Sequence, residues 1–493
     1  MYILAIDQGT TGTTSLIINA STMDVVDKVN HEFPQIFPEP GWVEHNLNNI
    51  WDTVEQTVTS VLKETNIQPS DIKCIGITNQ RETTCAFDRS GSPLANAIVW
   101  QDRRTNDFCR QLKEKGLESI FKKKAGLPLD PYFSGTKMHW LLNNNQQVKE
   151  AAKKSNLLFG TIDSFLLYKL SGNISHKTDA SNASRTLLMD LDSCEWDNTL
   201  MDHLGIQEKF LPAITDSFSN FGVTKGLSFL PDGIPITGIL GDQQSALFGQ
   251  ACFDHGQSKC TYGTGAFMLL NTGTEKKYSE NGLLTTVAYK NDNKTYYALE
   301  GSAYIAGACI QWLRDNLSFF NESKDVETEA LKVKELEKLK DVFLFPFFTG
   351  IGTPYWNSDV KASLIGLTRG TGVPEISRAA LEGVSFSIND LIVAFNKDSG
   401  TTLDELKVDG GAVVNNLWMQ IQANISNLSI IRPKVIETTA LGAAMAASIG
   451  AELKTIDDLK TLWSEERTFK PESDLTYYKE KYTNWSAHIA KML

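Results

Sequence analysis

The sequence has no Gly-Lys dipeptide, so no Walker A loop can form. No G-x-G-x-x-G stretch is present either. Gly263-Thr264-Gly265 comes nearest, but Met268 stands where the third glycine belongs. P-loop NTPases and nicotinamide dehydrogenases are thereby disfavoured. The cysteines, at 74, 85, 109, 194, 252, 260 and 309, form no C-x-x-C pair and are odd in number. A disulfide framework is not expected, and a reducing compartment is. No H-E-x-x-H and no histidine cluster suggest a bound transition metal. Positive charge is scarce: 47 Lys and Arg against 59 Asp and Glu leave a net charge of −12, which argues against a nucleic-acid surface. The basic run Lys122-Lys123-Lys124 is short and reads as a solvated helix face. Met1 to Ile6 lacks the basic and long apolar regions of a signal peptide, and Ala440 to Ala451 is too short to span a bilayer. A cytoplasmic protein with no membrane span is expected.

What is present is a chain of 493 residues, 41% hydrophobic and without long polar low-complexity tracts. Single cores rarely grow past about 250–300 residues, so two domains are expected. We place them at 1–250 and 251–493. Ile3 to Ile6 is an apolar run suited to a strand buried on both faces. Thr13 to Ile18 and Val25 to Phe33 read as further strands, with Gly9 and Gly12 punctuating the first turn. Apolar residues from Leu47 to Leu62 recur at helical spacing, which predicts an amphipathic helix over 46–63. Asp71 to Ile77 returns to strand. The second half repeats the theme. Lys259 to Tyr262 is a strand running into Gly263-Thr264-Gly265, and Leu406 to Asp409 is a strand running into Gly410-Gly411. A Gly/Thr turn between short strands, once in each half, hints at internal duplication.

The chemistry of these turns suits phosphate. In Asp7-Gln8-Gly9-Thr10-Thr11-Gly12 a carboxylate closes a strand and can hold Mg²⁺, often through water. Glycines let the backbone approach phosphate oxygens, and hydroxyl and N–H groups donate to them. Taken alone, the turn is also compatible with an ordinary hairpin. Its counterpart at Gly263-Thr264-Gly265 makes a pair that could clamp a triphosphate.

Asn79-Gln80-Arg81-Glu82-Thr83, Trp100-Gln101-Asp102-Arg103-Arg104, Pro131 to Lys137, Gly241-Asp242-Gln243-Gln244, Tyr262-Gly263-Thr264-Gly265 and Val408-Asp409-Gly410-Gly411 follow the first turn in order. With them the chain resembles the glycerol-phosphorylating members of the FGGY carbohydrate kinases, over about residues 3 to 450. The resemblance implies an α/β fold of two actin/hexokinase-like (ribonuclease H-like) domains, each with a mixed five-stranded sheet, and an interdomain ATP and substrate cleft. It implies phosphorylation of glycerol to sn-glycerol 3-phosphate with ATP and Mg²⁺, in a homodimer or homotetramer.

By the same resemblance Arg81, Glu82 and Tyr132 bind glycerol hydroxyls. Trp100 and Phe267 wall its carbon edge, and Gln243 binds substrate. Asp242 is the general base. Thr10, Thr11, Gly12, Thr14 and Thr264 lie at the phosphates. Gly307, Gln311, Gly411 and Asn415 lie along the nucleotide, and Asp7 and Asp242 take the metal. From the residues alone, Arg81-Glu82 could be a surface charge pair, Tyr132 a core aromatic and Asp242 a helix N-cap. The helices expected here span Gln243 to Phe248 and Ala306 to Leu317. Two departures stand out. Thr14 occupies the place of the family's phosphate-side Arg, and Gly12 that of a Ser. The stretch Gly226 to Phe229 also lacks the histidine that some bacterial relatives carry there. Two alternatives stay open: an FGGY kinase of another polyol or pentulose, and a non-catalytic actin-like ATP-binding switch.

Overall fold

The N-terminal apolar run forms the strand Tyr2–Gln8, in which Ile3, Leu4, Ala5 and Ile6 expose no surface. It pairs antiparallel with Gly12–Asn19 and parallel with Ile72–Asn79. The computed structural model to which these strands belong describes residues 1–357 and 359–493. The chain forms two units. The first comprises Met1–Phe253, Thr285–Tyr297 and Thr438–Leu462; the second comprises Asp254–Leu284, Ala298–Glu437 and Trp463–Leu493.

The first unit is built on a six-stranded mixed sheet. Its order is Phe218–Val223, Pro235–Gly241, Ile72–Asn79, Tyr2–Gln8, Gly12–Asn19 and Val25–Glu32. Five strands were expected and six are present. Val25–Glu32 alternates between partly buried and exposed residues, as a strand with one open face does. The three parallel strands are in register at their carboxyl ends, with Asn79 opposite both Gln8 and Gly241. Ligands of open α/β sheets bind at this edge, and the chain leaves it into Gly9–Thr11, Gln80–Glu82 and Asp242.

The helix Leu47–Thr65 covers one face of this sheet. Leu47, Ile50, Val54, Val58 and Val61 are buried, and Asn46 caps the start by accepting from the Asn48 N–H. Two buried hydroxyl pairs join helix to strand, Thr13 to Thr53 and Ser15 to Thr57, each at 2.8 Å. The helix Thr438–Gly450, rich in Ala and Gly, packs on strands of the same sheet through close backbone approach. A Cβ on strand residue Gly76 would lie 2.1 Å from the Ala443 carbonyl oxygen. The same helix meets the helix Asp242–Gly249, where a Cβ on Gly442 would lie 1.8 Å from the Ser245 carbonyl oxygen. The segment that carries Asp242 is thus clamped by residues about two hundred positions downstream.

The second unit contains strands of a seven-stranded mixed sheet. Its central strand Ser258–Tyr262 pairs antiparallel with Ala266–Gly273 and parallel with Glu405–Asp409. This repeats the hairpin-plus-parallel-strand arrangement of the first unit, as the two Gly/Thr turns suggested. The long helix Val373–Ser399 is held to the C-terminal helix Thr476–Met492 by a buried ion cluster. In it Glu382 accepts from Arg378 at 2.9 Å and from Lys481 at 2.7 Å. Among the described residues no helix is long and apolar enough to cross a membrane.

Candidate active site

In the first unit the strand Ile72–Asn79 ends in a sharp turn. The Thr83 N–H bonds the Arg81 carbonyl at 2.7 Å, and Glu82 takes φ +61°. A left-handed conformation costs a non-glycine residue on the order of 1 kcal/mol and persists where its surroundings hold it. Here the hydroxyl of Ser134 holds it, donating to the Glu82 carbonyl at 3.0 Å. The turn brings two charged side chains inward. Arg81 is 2% and Glu82 1% exposed, so they are no surface pair. Such burial demands partners. Arg81 Nη1 donates to Gln244 Oε1 at 3.1 Å, and its Nε lies 3.0 Å from Asp242 Oδ1, an ion pair off the hydrogen-bonding axis. Glu82 Oε1 accepts from Arg185 Nε at 2.6 Å.

Asp242 opens the helix Asp242–Gly249, one residue longer at each end than expected, and its Oδ1 accepts from the Gln243 N–H at 2.7 Å. The side chain therefore sits at a helix start, where the partial positive charge favours a carboxylate. Its side chain is 29% exposed beside two charged neighbours that are almost wholly enclosed. Of the three side chains, it is the most exposed. Gln243 is buried next to it.

Tyr132 is buried and meets the Trp100 indole edge to face at 5.7 Å. Trp100 Nε1 in turn donates to Thr10 Oγ1 at 3.0 Å, tying this aromatic pair to the first turn. The turn itself closes through the Gly9 N–H and Gly12 carbonyl at 2.9 Å, with Thr11 exposed at its tip. Gly12 has a steric reason: a Cβ there would lie 2.8 Å from the His31 carbonyl oxygen of the neighbouring strand. Thr14 stands opposite Asp7 across the hairpin and accepts from Asn30 Nδ2 at 2.9 Å. Burial, reinforced by the negative charge of Asp242, pushes the Asp7 carboxyl up to about 7.

In the second unit the turn Gly263–Gly265 is docked on the start of the helix Gly307–Asp315, which begins one residue later and ends two earlier than expected. The Gly307 N–H donates to the Gly263 carbonyl at 2.9 Å, and the Ala306 and Ala308 N–H groups donate to the Thr264 carbonyl. A Cβ on Gly307 would lie 2.7 Å from the Gly263 carbonyl oxygen, so only glycine permits this approach. Thr264 and Gln311 are exposed, and Gln311 follows Gly307 by one helical turn. Gly410, at φ +91°, turns the chain out of Glu405–Asp409, and Gly411 has open space beside its Cα. Asn415 Oδ1 caps the next helix by accepting from the Trp418 N–H at 2.8 Å. Its Nδ2 is buried and makes no hydrogen bond within the protein, a cost of about 1–3 kcal/mol that an outside acceptor would relieve. Phe267 lies half-buried on the strand Ala266–Gly273 of this unit, two residues after Gly265 and opposite Thr261.

The structure therefore brings Arg81, Glu82, Asp242 and Gln243 together at one sheet edge. It joins Trp100 and Tyr132 to Thr10, and Thr264 to Gly307. It also adds residues that sequence reasoning missed: Gln244, Arg185 and Lys137. Gln244 stood inside a quoted motif with no role assigned, and Lys137 likewise. Arg185 has no local signal, since its partner is 103 positions away.

Two-domain kinases with these turns form a class, and the chain belongs to it. The FGGY family of carbohydrate kinases matches with its N-terminal domain over residues 2–249 and its C-terminal domain over residues 258–451. This protein is a member of that family. Its relatives include the glycerol kinase of Bacillus subtilis, 48% identical over 490 residues, covering 99% of this chain and 98% of the relative. The glycerol kinase of Myxococcus xanthus is 46% identical, covering 99% of each chain. Among solved structures, Plasmodium falciparum glycerol kinase with ADP superimposes with a TM-score of 0.90 at 36% identity, covering 100% of this chain and 98% of that one. A xylulose kinase from Lactobacillus acidophilus, at 21% identity and TM-score 0.87, shares the fold.

Proposed function

We propose that this chain phosphorylates glycerol with ATP, giving sn-glycerol 3-phosphate and ADP. The observation that carries the proposal is the buried Arg81-Glu82 pair set against the accessible Asp242 carboxylate, in a chain nearly half identical to glycerol kinases. A vicinal diol offers donors and acceptors together. Arg81 supplies donors and Glu82 acceptors, which is the complement. Tyr132 adds a phenol, and Trp100 and Phe267 supply apolar surface for the carbon edge. Gln243 adds an amide.

Asp242 accepts the proton of the attacking hydroxyl as it adds in line to the γ-phosphorus. Phosphoryl transfer asks of the protein mainly positioning and charge stabilisation. Arg81, 3.0 Å away, holds the Asp242 carboxylate toward the substrate. We assign Thr10, Thr11, Gly12, Thr14 and Thr264 to the phosphates, and Gly307, Gln311, Gly411 and Asn415 to the rest of the nucleotide. The orphaned Nδ2 of Asn415 suits such an acceptor-rich ligand.

The donors present fit Mg²⁺. Asp7 and Asp242 are hard oxygen ligands whose mutual repulsion a divalent cation would offset. No group of three or more His, Cys, Asp or Glu ligands forms among the described residues, so such an ion would keep waters and phosphate oxygens. Bound there, Mg²⁺ would neutralise phosphate charge. We also propose a cytoplasmic location and a homodimer or homotetramer, as the family resemblance implies.

The test is ADP release from ATP over a panel of glycerol, erythritol and xylulose. Glycerol should stimulate release at least about a hundredfold over its absence, and more than the other polyols at equal concentration. Equal rates with and without glycerol would sink the kinase reading, and a preference for xylulose would sink the substrate. A second measurement concerns the departure at Thr14. Thr14→Arg restores a cation opposite Asp7, and a charged hydrogen bond is worth about 1.5–3 kcal/mol. The KM for ATP should fall about tenfold, with the KM for glycerol unchanged. An unchanged KM for ATP means that the loop is not weakened by Thr14.

A further inference from the structure

Glu82 is the one polyol residue with a strained backbone, and its side chain is almost wholly enclosed. A carboxylate so placed keeps its charge and direction only if a cation is built against it. The nearer of two such cations is Arg185. Its side chain is wholly buried, and its Nε donates to Glu82 Oε1 at 2.6 Å; Arg81 Nε lies 3.9 Å from the same oxygen. The Arg185 guanidinium lies 5.7 Å from the centre of the Tyr132 ring and 5.4 Å from that of Phe133. One buried cation thus touches the carboxylate and faces the phenol that the proposed function gives to the polyol.

The seat of Arg185 is itself fixed to the strand that carries Arg81 and Glu82. Arg185 follows the short helix Ala180–Ala183, whose start is capped by Asp179 through the N–H groups of Ser181 and Asn182. Asn182 exchanges amide hydrogen bonds with Asn79, the last residue of the strand, at 3.0 and 3.2 Å. Ser181 Oγ accepts from the Gly241 N–H at 3.0 Å, beside Asp242. The short helix is therefore pinned to two of the three strand ends that build the site. Buried hydrogen-bond networks of this kind favour one geometry.

A second buried cation works on the backbone. Lys137 Nζ donates to the Tyr132 carbonyl at 2.5 Å and lies 3.4 Å from that of Phe133. Burial pulls its ammonium down to about 7, against the opposing pull of the Glu82 charge. Lys137 fixes where the Tyr132 ring stands, and Arg185 fixes what that ring and Glu82 present to a ligand.

We infer that Arg185 is a positioning residue for the polyol: it holds Glu82 as an ionised acceptor, aimed at a substrate hydroxyl, against the face of Tyr132. This rests on the proposed function. Without the Arg185 guanidinium, Glu82 keeps only the more distant Arg81, at 3.9 Å, so proton uptake becomes easier, and a protonated Glu82 presents a donor where the polyol needs an acceptor. The loss then falls on glycerol and depends on pH, and ATP is unaffected.

The experiment compares wild type, Arg185→Met and Arg185→Lys for the KM of each substrate and for kcat/KM for glycerol between pH 5.5 and 9. For Arg185→Met, kcat/KM for glycerol should fall about a hundredfold, chiefly through the KM for glycerol. The KM for ATP should stay within twofold, and the acid limb of the profile should move up by at least one pH unit. Arg185→Lys should return the acid limb to its wild-type position, with only part of the affinity. If Arg185→Met does not fold, Arg185→Lys together with Arg185→Met/Glu82→Gln carries the test. The double variant buries no lone charge and should fold, with weak glycerol binding that no longer varies with pH. An active wild type whose Arg185→Met twin matches it in the KM for glycerol overturns this inference alone. So does a variant in which both KM values rise alike with no change in the pH profile, since that is a merely structural role. A wild type without glycerol-dependent ADP release overturns the proposed function and this inference together.

Discussion

Asp242→Asn is expected to lower kcat for glycerol phosphorylation by about 10³-fold, within the 10²–10⁴-fold range of general-base catalysis, while both KM values stay within a few-fold. The substitution separates two roles that coincide at this position. Asp242 Oδ1 accepts from the Gln243 N–H at the start of its helix, and an asparagine oxygen accepts that bond equally well. The helix start therefore survives, and what is lost is the capacity to take a proton. The amide also no longer pairs as an ion with Arg81, which lies 3.0 Å away. Arg81 keeps its bond to Gln244, so the polyol donors stay in place. Steady-state kinetics with both substrates varied, together with a thermal melt, checks the outcome. A variant at full rate removes Asp242 as the base. A large rise in the KM for glycerol with kcat preserved makes it a binding residue instead.

The second large effect concerns stability. Gly442→Val should destabilise the protein by at least about 3 kcal/mol, lowering the melting temperature by about 6–12 °C for a domain of this size. A Cβ at Gly442 would stand 1.8 Å from the Ser245 carbonyl oxygen and 2.6 Å from its carbonyl carbon. Both are backbone atoms, so no rotamer change relieves the collision, and the two helices must separate. The helix displaced carries Asp242 at its start, so kcat should fall along with stability. Gly370→Ala is the control. Its nearest neighbour, the Thr368 hydroxyl, would be 3.8 Å from the new Cβ, and stability should stay within about 0.5 kcal/mol. A Gly442→Val melt within 2 °C of wild type would show that the helix contact is far softer than its geometry.

Local pattern made much of the first sheet legible. The apolar run at Ile3–Ile6 became the strand Tyr2–Gln8, and the periodicity over 46–63 became the helix Leu47–Thr65. Both signals are short-range, because burial on two faces or on one helical stripe leaves a period in the residues themselves. The turns at Gly9–Gly12 and Gly263–Gly265 were legible as turns for a similar reason, since glycines punctuate the ends of short strands. The Thr438–Gly450 helix was not. Its small residues gave no amphipathic stripe, only an apolar stretch too short for a membrane. Their purpose is visible once Gly76, Gly442 and Gly249 meet backbone from distant segments.

The sequence by itself determined the class of the protein through its motifs, the Gly/Thr turns that follow its strands, and Arg81, Glu82, Tyr132 and Asp242 as candidates. Each of these is carried by residue types within a few positions of one another. Only the tertiary structure decided that Arg81 and Glu82 are buried and that Asp242 is the accessible carboxylate beside them. It alone set Arg185, from 103 positions away, against Glu82. Burial and charge pairing depend on which strand ends share a sheet edge, and pairing across a hundred residues leaves no period in the chain.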